Sequence, residues 1–287
     1  MTASHEPIDL HHQTERVVGV YVVETGDGLA LFDCGPATCI PALKTGLAAR
    51  GLELADIRHL LLSHIHLDHA GAAGSLVREH PALEVHVSEI GAPHLVDPSR
   101  LEASARRLYG DSFDALWGEL APVPEANVRV VGDRVLDLDC FASPGHASHH
   151  VCYLHGDGTL YAGDAAGVRI QPGRHVMPVS PPPDIDVEAW YHTFEEIERR
   201  QPERLALTHF GVAASPSEHL AMARAELASW SDRAERGLDE ETWVGAARRD
   251  LETAVGADAG HWERAAPLWQ SYAGMKRYWD KRRAAAA

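Results

Sequence analysis

The run Val17–Glu24 is rich in β-branched apolar residues, and a second apolar run, Leu29–Phe32, follows Thr25-Gly26-Asp27-Gly28. Two strand-like runs joined by a Gly/Asp turn predict a hairpin. Residues 38–50 have helical spacing and end at Gly51. Ile57–Leu62 is almost continuously apolar, the pattern of a buried strand. A helix over 71–80, a strand over Leu83–Val87 and a helix over 99–119 are expected next. Short strands follow at Val128–Val131, Arg134–Leu138, Cys140–Ala142, Val151–His155 and Thr159–Ala162, and the turns between them predict a largely antiparallel sheet. The tract Val168–Asp186 holds five prolines, three of them consecutive at Pro181–Pro183, and reads as a long loop of the kind that covers a site. After a helix near 187–200 and a strand at Arg204–Thr208, the tail is helical in composition, with helices near 215–235, 239–254 and 260–284. This pattern divides the chain into a mixed strand-and-helix unit over 1–214 and a helical extension over 215–287.

Composition narrows the class of function. The 287 residues carry a formal net charge of −16, which disfavours nucleic acid as a partner and leaves a small-molecule substrate as the expectation. No apolar stretch approaches the ~20 residues of a membrane span, so no membrane partner is expected. The opening Met1-Thr2-Ala3-Ser4-His5-Glu6-Pro7 lacks the basic-then-apolar pattern of a secretory signal. Cys34, Cys39, Cys140 and Cys152 form no Cys-x-x-Cys pair and read as buried thiols in a reducing compartment, so a cytoplasmic location is expected. The 19 histidines are the feature that composition leaves to spacing.

Spacing singles out His64-Ile65-His66-Leu67-Asp68-His69, directly after the strand-like Leu60-Leu61-Leu62-Ser63. Four nitrogen or oxygen donors in so short a stretch cannot share one face of a strand or helix, but a tight loop at a strand end can splay them. Zinc and iron accept imidazole and carboxylate at ~2.0–2.2 Å, so further donors must converge from distant segments. Three candidates sit at strand ends among small residues: His146 in Ser143-Pro144-Gly145-His146, Asp164 in Tyr161-Ala162-Gly163-Asp164, and His209 after Leu205-Ala206-Leu207-Thr208.

These motifs, in this order, resemble the metallo-β-lactamase-fold hydrolases, in particular the branch of glyoxalase II-like thioesterases and metallo-lactonases, over about residues 16–214. The resemblance implies an α/β, four-layer αβ/βα sandwich with a C-terminal helical extension and a site at one edge between two sheets. It implies two divalent metal ions, zinc first, with iron or manganese as alternatives. His64, His66 and His146 would hold the first, Asp68, His69 and His209 the second, and Asp164 both. Two such cations lower the pKa of a shared water and supply hydroxide near neutral pH, with Asp68 as the catalytic residue that orients it. The expected reaction is hydrolysis of a thioester, lactone or carboxylic ester. Departures from the pattern keep the substrate open. Residues 165–167 are Ala-Ala-Gly without the tyrosine that lactonases place after this aspartate, and the glutathione-binding tail of glyoxalase II is not recognisable. The alternatives are a mononuclear iron oxidoreductase of the persulfide dioxygenase type and a phosphodiesterase.

Around the candidate ligands, Asp33 and His150 are expected to support them by hydrogen bonds. His11 and His12 are expected at the surface, and Trp190, Tyr191 and Phe194 in the core of one helix. Trp230, Trp243, Trp262, Trp269 and Trp279 predict an apolar stripe on the tail, which would pack on the core or on a second subunit of a homodimer, or else cap the active-site groove.

Overall fold

The computed structural model describes residues 5–286. Two six-stranded sheets form its centre. The first runs in the order β1 (Ile8–Asp9), β2 (Gly19–Thr25), β3 (Gly28–Phe32), β4 (Ile57–Leu61), β5 (Glu84–Val87) and β6 (Val128–Val130). The second begins at β12 (Gly211–Ala213) and continues through β11 (Arg204–Leu207), β10 (Thr159–Tyr161), β9 (Val151–Leu154) and β8 (Leu138–Ala142) to β7 (Arg134–Val135). The expected hairpin is β2–β3, antiparallel with Tyr21 opposite Phe32, and β3 to β6 then pair in parallel. The second sheet is antiparallel except where β10 meets β11.

The sheets pack face to face through Tyr21, Val23, Phe32 and Leu61 on one side and Leu138, Val151, Tyr153 and Tyr161 on the other. Two buried tyrosines cross this layer reciprocally. Tyr21 of the first sheet donates its hydroxyl to the Leu207 carbonyl at 2.8 Å, and Tyr153 of the second donates to the Leu62 carbonyl at 2.8 Å. Both acceptors lie just before site residues, so the inter-sheet layer sets the position of the loops that follow β4 and β11. Helices cover the outer faces. They are α1 (Ile40–Ala48), α2 (Leu67–Ala70), α3 (Ala73–Glu79), α4 (Ala92–Val96), α5 (Ser99–Tyr109), α6 (Phe113–Trp117) and α7 (Val187–Arg200). The α7 helix starts where the Asp186 carboxylate accepts the Ala189 amide at 3.0 Å.

The tail is four helices: α8 (Pro216–Glu235), α9 (Glu240–Val255), α10 (Ala259–Ala265) and α11 (Leu268–Ala286). Trp230, Trp243 and Trp262 are fully buried and belong to the same continuous apolar core as the helix-facing side of the sheets. Three expectations about local structure are corrected. The helix over 99–119 is broken into α5 and α6 at Gly110, whose φ of +54° suits glycine and ends the α5 turn. The helix over 260–284 is broken ahead of Pro267, which has no amide hydrogen and restricts the residue before it, so α10 stops at Ala265. The strand over 134–138 turns at Leu136, φ +55°, into a tight β7–β8 hairpin. The short edge strands β1 and β12 were not anticipated; each has too few residues to show a period. Val168–Asp186 is irregular as expected, pinned by a bridge between Val168 and Met177.

Candidate metal centre

The backbone leaves β4 at Leu61, and Ser63 to His66 then run without regular structure before α2 begins at Leu67. The turn of α2 sends Asp68 and His69 to one side while His64 and His66 stay on the other. His146 arrives on the Gly145 turn, Asp164 on the loop after β10, and His209 on the link between β11 and β12. All seven predicted side chains converge. His64 Nε2, His66 Nδ1 and His146 Nε2 lie 2.9–3.1 Å from one another. Asp68 Oδ2 is 3.3 Å from His209 Nε2 and 3.8 Å from His69 Nε2. Asp164 spans the two groups. Its Oδ2 is 3.4 Å from both His146 Nε2 and His69 Nε2, and its Oδ1 is 3.5 Å from His209 Nε2.

The outer nitrogens of these histidines show which inner nitrogens are free. His146 Nδ1 meets the Val179 carbonyl and His209 Nδ1 the Val17 carbonyl; a carbonyl only accepts, so each Nδ1 carries hydrogen and each Nε2 turns a lone pair inward. His69 Nδ1 is 2.7 Å from Asp33 Oδ2, which likewise accepts. Ser63 Oγ gives its hydrogen to Asp33 and is left to accept from His64 Nδ1 at 2.9 Å. The inner atoms His69 Nε2, His209 Nε2 and Asp164 Oδ1 are buried with no hydrogen-bond partner. Buried polar atoms without partners are costly, and lone pairs aimed at one point are the signature of cations to be held. Donors at ~2.0–2.1 Å from a tetrahedral ion stand ~3.3 Å apart, close to the spacings here.

Electrostatics agree. Burial, reinforced by neighbouring imidazoles, holds His64 and His66 well below the ordinary histidine range, and burial also lowers His146, so all three are neutral donors. Burial would lower His69 too, but Asp164, Asp33 and Asp68 outweigh it and raise it well above that range. Burial works against the charge of Asp68 and Asp164, yet the adjacent histidines, His69 foremost, keep both carboxylates below their usual range. A pocket that forces a proton onto an imidazole is one that favours a cation.

Of the supporting residues, Asp33 accepts from Ser63, His69 and Thr208, and the last of these was not anticipated. His150 accepts the Asp164 amide at 3.2 Å and bonds Ser143 Oγ at 2.7 Å, which fixes the carboxylate's backbone. Trp190 is buried behind His146, edge-on at 5.9 Å, and donates to the Ala165 carbonyl. The backbone carbonyls of Val17 and Val179 could not be found from residue type, since any residue supplies one. His12 corrects an expectation. His11 is exposed, but His12 is 5% exposed, stacks on Trp117 at 5.1 Å and faces the site cavity. That cavity encloses about 910 Å³ above Asp68 and Asp164. The Pro181–Pro183 segment, α5 and the α10–α11 junction line it, so loop and tail both reach the site.

The family model of the metallo-beta-lactamase superfamily matches residues 14–209. The chain belongs to this superfamily. It is 27% identical over 178 residues to the metallo-beta-lactamase fold-containing protein ST1585 of Sulfurisphaera tokodaii, covering 58% of this chain and 66% of that one. The crystal structure of ST1585 superposes with a TM-score of 0.64 at 21% identity, over 91% of this chain and 93% of the other. A hydroxyacylglutathione hydrolase of Xanthomonas campestris is 33% identical over 146 residues, covering 50% of this chain and 45% of the hydrolase. The di-iron-bound form of TTHA1623 superposes with a TM-score of 0.56 at 24% identity, over 75% of this chain and 95% of that protein. The superfamily is mostly one of hydrolytic enzymes whose members bind divalent metals. No described helix is long and apolar enough to cross a membrane.

Proposed function

We propose that this chain is a dinuclear metal-dependent hydrolase of ester-type bonds, with thioesters first, then lactones and carboxylic esters. The observation that carries this reading is the convergence of seven buried or half-buried donors whose inner lone pairs and oxygens have no other use. His64, His66 and His146 would hold one cation, Asp68, His69 and His209 the other, and Asp164 would contact both. When bound, the pair supplies acidified water and a Lewis acid for the carbonyl oxygen. The protein's own groups do the rest. Asp68 keeps its negative charge and borders the cavity, so its carboxylate can accept the hydrogen bond that orients the attacking water. Burial and the nearby Asp68 raise the Tyr109 phenol above its usual range, so it stays protonated and can donate to a substrate oxygen in the same cavity. Leu101, Leu108, Leu116 and Trp117 give the cavity an apolar wall suited to an acyl group. A thiolate nucleophile finds no support, since burial raises all four thiols, Cys140 and Cys152 to about 12. Thioester preference draws on the hydroxyacylglutathione hydrolase relative, itself matched over less than half its length.

The test is elemental analysis of protein purified without added metal, alongside turnover of thioesters, lactones and phosphodiesters. About two zinc or manganese ions per chain with turnover of one ester class is the expected result, and Asp68→Asn should lower kcat more than it raises KM. About one iron per chain with no hydrolysis would replace this reading with the persulfide dioxygenase one.

A further inference from the structure

Among the described residues, one group of nitrogen and oxygen donors close enough to hold an ion lies apart from the candidate metal centre. His59 of β4 stands two residues before Leu61, whose side chain packs between the two sheets, so both point to that face. The β4–β5 pairing sets Glu84 opposite His59 and His86 opposite Leu61, which brings the three side chains onto the same face. His59 Nδ1 is 3.2 Å from His86 Nε2 and 3.6 Å from Glu84 Oε2. The ring of His59 is fully buried and His86 is 7% exposed, while Glu84 is half-buried. None of the three lines the cavity. His59 precedes His64 by five residues, ~16 Å of extended chain.

The pattern of supporting contacts repeats that of the candidate metal centre. Asp27, in the β2–β3 turn, sets its Oδ2 3.5 Å from His59 Nε2, which is buried without a hydrogen-bond partner. A carboxylate only accepts, so it draws the ring hydrogen to Nε2 and leaves the Nδ1 lone pair facing His86 and Glu84. Asp33 does the same for His69. Arg129 donates to Glu84 Oε1 at 2.7 Å, which fixes the carboxylate and leaves Oε2 turned to His59. The nitrogen spacing is close to the 2.9–3.1 Å among His64, His66 and His146, and to the ~3.3 Å between donors on a tetrahedral ion. We propose that His59, Glu84 and His86 form a separate site for one divalent ion of the zinc class, with a water as fourth ligand. Two imidazoles and a carboxylate suit zinc or cobalt and not calcium or magnesium, which take oxygen. The ion ties β4 to β5 and adds to stability by mass action, independently of the hydrolase reading. With three protein donors and Glu84 partly open to solvent, it is the weaker site, filled by added zinc.

The test titrates protein purified without added metal with zinc against a chromophoric chelator, and follows the melting temperature alongside. One further equivalent should bind to the wild type and raise its melting temperature. In Glu84→Gln and in Glu84→Gln/His86→Gln, affinity for that equivalent should fall by at least the ~10–100-fold that losing a supporting partner costs. The zinc-dependent rise in melting temperature should disappear with it, while the metal retained through purification should not change. Cobalt as the added ion should give the visible absorption of a four-coordinate site in the wild type and not in the variants. Glu84 is partly exposed, so the single variant carries the test if the double one does not fold. No further equivalent in the wild type would overturn the site. So would one bound equally well by both variants, which would place the added zinc on surface histidines. A melting temperature lowered by Glu84→Gln but indifferent to zinc would instead assign His59 as an imidazolium between Glu84 and Asp27, and would overturn it too. One iron per chain without ester hydrolysis removes the hydrolase reading and leaves this site standing.

Discussion

Asp33 is buried, sits at φ +56° after β3, and satisfies Ser63, Thr208 and His69 with two oxygens. Its acceptor on His69 Nδ1 keeps His69 Nε2 turned inward, so its contribution to metal holding is indirect and specific to a carboxylate. Asp33→Asn replaces one acceptor oxygen with a donor, leaving either His69 or a hydroxyl facing another hydrogen. The expected outcome is a ~10–100-fold loss of metal affinity, read by competition with a chromophoric chelator; unchanged affinity would mean that His69 is oriented by its packing alone. His12 makes the complementary point. Nothing in its neighbours Leu10, His11 and Gln13 marks it as the one of two adjacent histidines that turns inward to stack on Trp117.

At the scale of elements, the proline-rich loop is held to the site by the tail. Gly274 of α11 lies so close to the loop that a Cβ there would stand 2.0 Å from the Ser180 carbonyl oxygen, and Ser180 Oγ donates to the Ser271 carbonyl. The preceding residue, Val179, supplies the carbonyl that orients His146. Gly274→Val therefore has to push the loop away from α11. A loss of about 1–3 kcal/mol in denaturant stability is expected from the overpacking, together with reduced metal occupancy through His146. Lower stability with full occupancy would break the proposed link between α11 and the ligand. Trp262 acts on the same loop from α10, its ring lying against Gly173.

For the whole molecule, pH reaches the fold through histidines away from the candidate metal centre. Burial, with the charge of His59, lowers His86 to about 4, and burial lowers His219 to about 4 while its Nε2 donates to the Ala166 carbonyl. In the unfolded chain a histidine titrates near 6.5. Between about 4 and 6.5 the unfolded state binds more protons than the fold, so stability rises with pH through that window and is lost as pH falls through it. Melting temperatures from pH 7 to pH 4 should fall steadily, and His219→Gln should flatten the curve; a pH-independent melting temperature would contradict both assignments.

The seven candidate ligands, the β2–β3 hairpin, the largely antiparallel second sheet and the helical tail were legible in the chain itself, whereas the parallel pairing of β3 to β6 was not. Donor type, small flanking residues and strand-end position are local properties, and a metal cluster demands a chemistry that few other arrangements share. Element ends were legible where Gly or Pro forces the backbone, but weighing Gly110 and Pro267 against helical periodicity required the packed structure. The carbonyls of Val17 and Val179, the inward turn of His12 and the fusion of the tail with the core depended on tertiary structure alone. Each depends on which distant segment comes to lie alongside, and one-dimensional spacing carries no record of that: any residue offers a carbonyl, and two adjacent histidines do not say which of them will meet Trp117 in space.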